Sequence, residues 1–164
     1  MITEKAITKK SQEYTKFKAL YRKAFPRAER VPVRFLMNKD IDGTLNACYD
    51  GELFCGFYAT LTFGDITHIL FLAIDDALRG QGYGSALLEI ISYHYPQNRI
   101  ILDIEAEDST APNNEQRIRR KAFYERNGYV ESGIEYRWRG VPYIILIKNG
   151  TITEKDFDDF WDNF

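Results

Sequence analysis

The chain switches between two hydrophobic periods, and the switches divide it into elements. In SQEYTKFKALYRKAF, residues 11–25, Tyr14, Phe17, Leu20, Tyr21 and Phe25 recur at helical spacing. Ser11 stands where a cap belongs, and Pro26 stops the continuation. Residues 31–39, VPVRFLMNK, form a candidate second, short helix. Residues 44–50 and 52–63 read as two strands joined at Asp50-Gly51, a hairpin signal. Gly64-Asp65 supplies the next turn. The run DITHILFLAI, residues 65–74, is almost continuously apolar with a β-branched bias, the pattern of a strand buried on both faces.

From Ser85 to Tyr95 the period is helical again, with Ala86, Leu87, Ile90, Ile91 and His94 in phase and Pro96 at the end. RIILDIE, residues 99–105, predicts a strand with Ile100, Leu102 and Ile104 on one face and Ile101, Asp103 and Glu105 on the other. Residues 114–127 predict a helix, followed by Gly128 in the place of a left-handed C′ residue. Residues 129–137 and 141–148 form a closing antiparallel pair through Arg139-Gly140. The segment TITEKDFDDFWDNF opens on a capping signal at Thr153 and Asp156. It predicts a C-terminal helix at about 153–164, with Phe157, Phe160, Trp161 and Phe164 as an apolar stripe that is also a candidate dimer face.

The central strand–turn–helix–strand unit implies a parallel pair with a right-handed crossover. The rest is antiparallel. The expected fold is therefore mixed α/β (α+β), a mostly antiparallel sheet of about six strands with flanking helices. No repeat or linker breaks the chain, and 164 residues suit a single domain over 1–164.

Composition narrows the function classes. Apolar residues at 45% and aromatics at 15% support a packed core. A net charge of −2 gives no support for a nucleic-acid binder. No apolar run approaches the roughly 20 residues that cross a bilayer. The start, MITEKAITKKSQEY, lacks the apolar core of a secretory signal, so the expected location is cytoplasmic, without a membrane partner. Cys48 and Cys55 flank the hairpin turn. With Cys48 opposite Leu53, Cys55 lies on the diagonal, roughly 7–8 Å away. That exceeds the usual reach of a disulfide, so both read as reduced and buried. No Cys/His cluster has the spacing of a metal site, and His68 and His94 read as non-catalytic.

The chemistry concentrates in ALRGQGYGS, residues 77–85, where Gly80, Gly82 and Gly84 fall within five residues. A phosphate-binding loop of the Walker type needs a Lys-Ser/Thr pair after its glycine, and none is present. The dinucleotide fingerprint G-x-G-x-x-G fails in both registers, because its sixth position is Ser85 or Leu87. What remains is R-x-x-G-x-G, formed by Arg79, Gly82 and Gly84 at a strand-to-helix junction. Main-chain N–H groups there lack intrahelical acceptors, and the helix dipole adds partial positive charge. The stretch is either an anion cradle or a plain turn opening a helix.

A second stretch, AFYERNGYVESG at residues 122–133, joins it. Together they resemble the GCN5-related N-acetyltransferases, the GNAT family. Its acetyl-CoA motif Q/R-x-x-G-x-G/A follows the fourth strand, and Arg79-Gly80-Gln81-Gly82-Tyr83-Gly84 matches it. Its Y-E-x-x-G-F/Y helix end matches Tyr124, Glu125, Gly128 and Tyr129. Element order fits from about residue 11 to 148. The resemblance implies a central parallel pair that splays apart to admit acetyl-CoA, with no metal. It implies that N–H groups from Gln81 to Ser85 hold the CoA pyrophosphate and that Leu72, Ala73 and Ile74 pair with the pantetheine arm. Arg79 is either a phosphate contact or a solvated arginine. Many members carry Asn seven residues before the motif tyrosine; here that position is Arg117, which either reaches a CoA phosphate or lies on the solvated face of EQRIRRK.

Amide formation sets the remaining requirements. With a lysine-like pKa, only about one amine in 2,500 is neutral at pH 7, so a base helps. A main-chain N–H near Leu72 or Ala73 is the implied oxyanion donor. Tyr124 is the expected acid for the leaving thiolate. Glu105, at a strand end, is the favoured base over Glu107, Asp108 and the deeper Asp103. The expected function is acetyl-CoA-dependent N-acetyl transfer to a small amine or peptide amine by direct attack. The alternative is a non-catalytic acyl-CoA sensor. The DIEAED stretch and the acidic tail make a candidate negative mouth for a cationic amine. Phe25-Pro26 and Glu29-Arg30 fall where similar small acetyltransferases line the acceptor site.

Overall fold

The computed structural model describes all residues from Met1 to Phe164. In chain order the elements are β1 (Ile2–Ala6), α1 (Glu13–Ala24), α2 (Val33–Leu36), β2 (Gly43–Asp50), β3 (Leu53–Phe63) and β4 (Ile66–Ile74). After a 3₁₀ turn at Asp76–Leu78 come α3 (Tyr83–His94), β5 (Arg99–Glu105), α4 (Asn114–Arg126), β6 (Val130–Trp138), β7 (Val141–Lys148) and α5 (Glu154–Asp162). The sheet has seven strands in the order β1-β2-β3-β4-β5-β7-β6. It is mixed and mostly antiparallel, with β4 and β5 as the parallel pair. Two compact units divide the chain: residues 1–62 with 69–94, and residues 63–68 with 95–164.

The first unit packs α1 on β2, β3 and the later part of β4. Phe17, Leu20 and Tyr21 turn inward at the spacing the helix dictates. Phe17 meets the Phe57 ring edge-on at 4.8 Å, and Tyr21 and Phe25 meet Phe71 at 4.9 and 4.8 Å. Such aromatic crossings add about 0.5–1.5 kcal/mol each beyond the area they bury. Ser11 is not the helix cap: α1 begins at Glu13, and the Ser11 hydroxyl instead donates to Thr8 O at 2.9 Å. The second helix shrinks to the single turn α2.

The seventh strand, β1, has no apolar alternation to announce it. Ile2–Ala6 pairs antiparallel with β2, and polar contacts hold it there. The Glu4 carboxylate accepts from Asn46 Nδ2 at 3.1 Å and from the Tyr58 hydroxyl, and it meets His94 Nε2 at 2.7 Å. Burial opposes its ionisation, but the bonds from Tyr58, His94 and Asn46 outweigh burial and hold the carboxyl below its ordinary value.

The hairpin also differs from the expectation. Asp50 pairs with Leu53, so the turn is Gly51-Glu52, with Gly51 at φ 63°. A bulge between Cys48 and Tyr49 then sets Cys48 opposite Gly56 rather than Leu53. Both cysteines are free and buried. Burial pushes the Cys48 thiol up to about 12 and raises that of Cys55.

The second unit is built on β5. Its residues Ile100 to Glu105 pair antiparallel with β7, and β7 pairs with β6. The parallel ladder joins Ile66, Thr67 and His68 of β4 to Arg99, Ile100 and Ile101. Arg99 clamps the start of β5: its guanidinium meets both Asp65 oxygens at 2.8 and 2.9 Å, Asp156 at 3.0 Å and Thr151 O at 3.0 Å. Helix α5 opens with the expected capping box between Thr153 and Asp156, and its Phe160 is fully buried.

Gly56 is required by close approach. A Cβ there would lie 2.0 Å from the Ala73 carbonyl oxygen of β4. We expect Gly56→Ala to lower stability by about 1–3 kcal/mol or more, the cost of overpacking, read from urea unfolding. An unchanged midpoint would show that the two strands have room to part there.

Candidate active site

The turn after β4 is fixed before the glycines begin. Asp75 N–H donates to Cys55 O at 2.8 Å, and the Asp75 carboxylate accepts from Ala77 N–H at 3.0 Å. Gly80 and Gly82 then adopt φ of 79° and 85°, left-handed values that disfavour a side chain. A Cβ at either one meets no chain atom within 4 Å, so open space lies beside both. The Ala86 N–H closes the first turn of α3 on Gly82 O at 3.1 Å. The N–H groups of Gly82, Tyr83, Gly84 and Ser85 donate to no acceptor in the chain. Four donors, no capping side chain and the positive end of a twelve-residue helix converge on one spot. This arrangement fits a diphosphate, whose oxygens are acceptors only.

Around the cradle, Tyr83 is anchored by its hydroxyl, which donates to Asp50 Oδ2 at 2.7 Å. That bond is the main cause pushing its phenol up to about 12. Arg79 extends into solvent and pairs with Asp76 at 2.8 Å, and Asp76 also meets Lys23 at 2.9 Å. Gln81 is exposed, Ala73 is buried, and Leu72 and Ile74 are half-buried at the end of β4.

The second unit holds the residues expected to move protons. Tyr124 lies on the last full turn of α4, half-buried, against the rings of Phe123 at 5.1 Å and Tyr129 at 5.8 Å. Its hydroxyl makes no hydrogen bond within the chain. Burial raises its phenol above the ordinary value, only partly countered by Arg120. The group therefore keeps its proton throughout the neutral range, as an acid must.

Glu105 is joined to Arg117, with Oε2 at 2.7 Å from Nη2. The expectation that Arg117 reaches a CoA phosphate meets a guanidinium already committed. Arg117 is 8% exposed, and it also donates to Asn113 Oδ1 at 2.9 Å and to Ala106 O at 3.0 Å. Nor does it lie on a solvated face. Asn113 and Arg117 are four apart, so their contact follows from helical spacing; the link to Glu105 is tertiary and carries no local signal.

The other acids on this side are also engaged. Asp103 meets His68 Nε2 at 2.7 Å and accepts from the Tyr136 hydroxyl. Asp108 accepts from the Thr110 side chain and N–H, which hold it below its ordinary value. The tail acids Asp156 and Asp159 pair with Arg99 and Lys155.

Removing one member of a buried ion pair strands the other, at a cost of about 3–5 kcal/mol. We expect Arg117→Ala to lose stability on that scale in chemical denaturation while CoA affinity stays within about twofold. A large loss of CoA affinity with stability intact would return Arg117 to the cofactor.

The family model described as acetyltransferase (GNAT) domain matches residues 42–131, more than half of the chain, including the cradle and Tyr124. No curated protein matches. Among solved structures, the chain is similar to a putative GNAT acetyltransferase from Bacteroides thetaiotaomicron, at 24% identity and TM-score 0.81, covering 98% of this chain and 94% of that one. It is similar to the ribosomal-protein-S18-alanine N-acetyltransferase of Escherichia coli, at 19% identity and TM-score 0.67, covering 95% and 98%. A third, from Elizabethkingia anophelis with acetyl-CoA bound, shares 12% identity at TM-score 0.63, covering 91% and 98%. The match of that family model over more than half of the sequence assigns the chain: it belongs to the GNAT family of acetyl-CoA-dependent N-acetyltransferases.

Proposed function

We propose that this chain transfers acetyl from acetyl-CoA to a primary amine by direct attack, with both substrates bound at once. The observation that carries the reading is the set of four uncommitted N–H donors from Gly82 to Ser85. In this reading Gln81 to Ser85 hold the pyrophosphate, and Gly80, Gly82 and Gly84 keep the approach clear. Arg79 adds positive charge that Asp76 only partly neutralises. The pantetheine arm runs along Leu72, Ala73 and Ile74 as a short extra strand. In support, the parallel ladder uses only Ile66–His68, while β4 runs on to Ile74.

Acetyl-CoA supplies an activated acyl group in its thioester. The chain supplies the proton transfers and the electrostatics. Tyr124 holds a proton at its hydroxyl and delivers it to the leaving sulfur. A main-chain N–H near Leu72 or Ala73 faces the developing oxyanion. Glu105 receives the amine proton, directly or through water, and Arg117 acts as its positioning residue by fixing the carboxylate. The acceptor is a small amine or a peptide amine. The Escherichia coli neighbour is named for acting on an alanine of a ribosomal protein.

Two substitutions separate binding from chemistry. Gly82→Val forces a β-branched residue into a left-handed conformation and fills the cradle, so CoA binding by calorimetry should vanish. Normal binding by that variant would remove the cradle from the mechanism. Tyr124→Phe should bind CoA as the parent does and turn over at least about tenfold more slowly, the lower range for acid catalysis. Unchanged turnover would exclude Tyr124 as the acid, and thiol release with no amine of a broad panel would favour a coenzyme sensor.

The raised phenol also sets a pH signature. Because its value in the folded protein lies above the ordinary one, the proton is retained past a pH of about 10. We expect kcat to hold up to that pH and to fall only beyond it, with this alkaline limb missing in Tyr124→Phe. A limb near neutrality would point to a different acid.

A further inference from the structure

Beside the C-terminal half of α1 lies a basin of about 350 Å³ that the reading above does not use. Its walls come from one helix face and from the loop running into α2. Lys18, Tyr21 and Arg22 line it from α1, at the i, i+3 and i+4 positions that share a face. Arg27, Arg30 and Val31 line it from the loop. Four of its eight lining residues are cationic and none is acidic.

Several cations elsewhere in the chain are held by carboxylates. Lys23, Arg79, Arg99, Arg117, Lys121 and Lys155 each meet a carboxylate. The four in the basin take part in none of the chain's ion pairs. Lys18 rests over the Tyr14 ring at 5.1 Å, which leaves its charge uncompensated. Arg30 goes further: its Nε is buried and has no hydrogen-bond partner. A buried donor of a charged group left unpaired is costly, and such groups ordinarily find an acceptor.

The loop that carries Arg30 is held in place. The Tyr21 hydroxyl donates to Val31 O at 2.9 Å and accepts from Val31 N–H at 2.8 Å. This pair of hydrogen bonds to one residue fixes the main chain next to Arg30 against α1. The like charges are thus brought together by the fold and stay together, against their mutual repulsion. Tyr21 also forms a shared wall. Its ring packs edge-on against Phe71 of β4 at 4.9 Å, and Phe71 is the neighbour of Leu72. One wall of the basin thus packs on β4, the strand to which the pantetheine arm was assigned.

We propose that this basin binds an anionic group, and that the group is the carboxylate or phosphate of the acceptor amine. Arg30 and Arg27 provide paired N–H donors suited to a planar or tetrahedral oxyanion, and Lys18 and Arg22 add charge from the helix. The acceptor class is then an amine with a negative tail, such as a peptide ending in a free carboxylate or a phosphorylated amino sugar. The second half of the proposal rests on the acetyl-transfer reading; the anion site does not. Three acids of the opposite expectation, a negative mouth for a purely cationic amine, are spent in internal pairs: Glu105, Asp156 and Asp159.

The test separates the two halves. The full chain, labelled with nitrogen-15 and kept at low ionic strength to limit screening, is titrated with inorganic phosphate and separately with succinate. Arginine Nε–H signals are followed. Saturable movement of the Arg30 signal is expected with at least one of the two, and which one distinguishes a phosphate from a carboxylate tail. Arg27→Gln, at an exposed position that leaves the fold intact, should weaken that binding roughly tenfold or more, the scale of a lost charged hydrogen bond. No saturable movement with either ion, or no effect of Arg27→Gln, overturns the site.

Coenzyme A alone should move the main-chain amides of Tyr83 to Ser85 and leave Arg30 in place. Movement of Arg30 by the coenzyme would reassign the basin to it and overturn the acceptor half. Matched acceptors complete the test: a dipeptide against its C-terminal amide, and glucosamine 6-phosphate against glucosamine. The anionic member of at least one pair should have a kcat/KM about tenfold higher, and Arg27→Gln should erase the difference. Equal rates within both pairs overturn the acceptor half. Absence of thiol release with all four, alongside saturable phosphate or succinate binding, would sink the transfer reading while the anion site stands.

Discussion

The head of α3 begins without a cap, and the function proposed for the chain depends on that omission. A helix start ordinarily recruits a Ser, Thr, Asp or Asn side chain, worth about 1 kcal/mol, to satisfy its first amides. The same chain does so at α5, where Thr153 and Asp156 bond reciprocally. At α3 the cap position is Gly82, which has nothing to offer its own amides. The helix stays in place because Leu87, Leu88 and Ile91 bury its other face. Apolar packing holds the element, and the polar end keeps its amides uncommitted, as the proposed anion site requires. In that reading, stability and binding are carried by different parts of one short helix.

What could be read in advance follows from how local each signal is. The bounds of β5, the capping box of α5 and the left-handed Gly128 depend on a few adjacent residues, and the structure has all three as expected. The uncapped glycine turn is legible for the same reason: its glycines, its helix start and its arginine lie within seven positions. β1 was missed because a network around Glu4 fastens it, with partners at Asn46, Tyr58 and His94 drawn from three other elements. The register of the β2–β3 hairpin slipped from the expectation through one bulge, which no residue preference announces. Arg117 looked like one of several basic residues on a helix. Only the folded chain shows that it reaches back to Glu105 and leaves the surface.

The charge balance gives a similar lesson. A net charge of −2 describes the chain as nearly neutral. Its carboxylates, however, are used as fasteners: Asp65 and Asp156 around Arg99, Glu105 on Arg117, Glu4 on β1. Each such contact sets a negative charge against a positive one, so neither acts freely on a ligand. The cations lining the basin beside α1 have no such partners, so a local positive field persists that the total conceals.

The two thiols offer a practical corollary. Cys48 is completely enclosed beside the β2–β3 bulge, and burial suppresses its ionisation. Cys55, equally enclosed, is shifted in the same direction. Since alkylating reagents attack the thiolate, neither sulfur competes for them while the fold is closed. A reporter cysteine placed anywhere on the exterior can be labelled selectively in the otherwise native chain, and free coenzyme thiol can be followed with chromogenic disulfides without background from the protein itself.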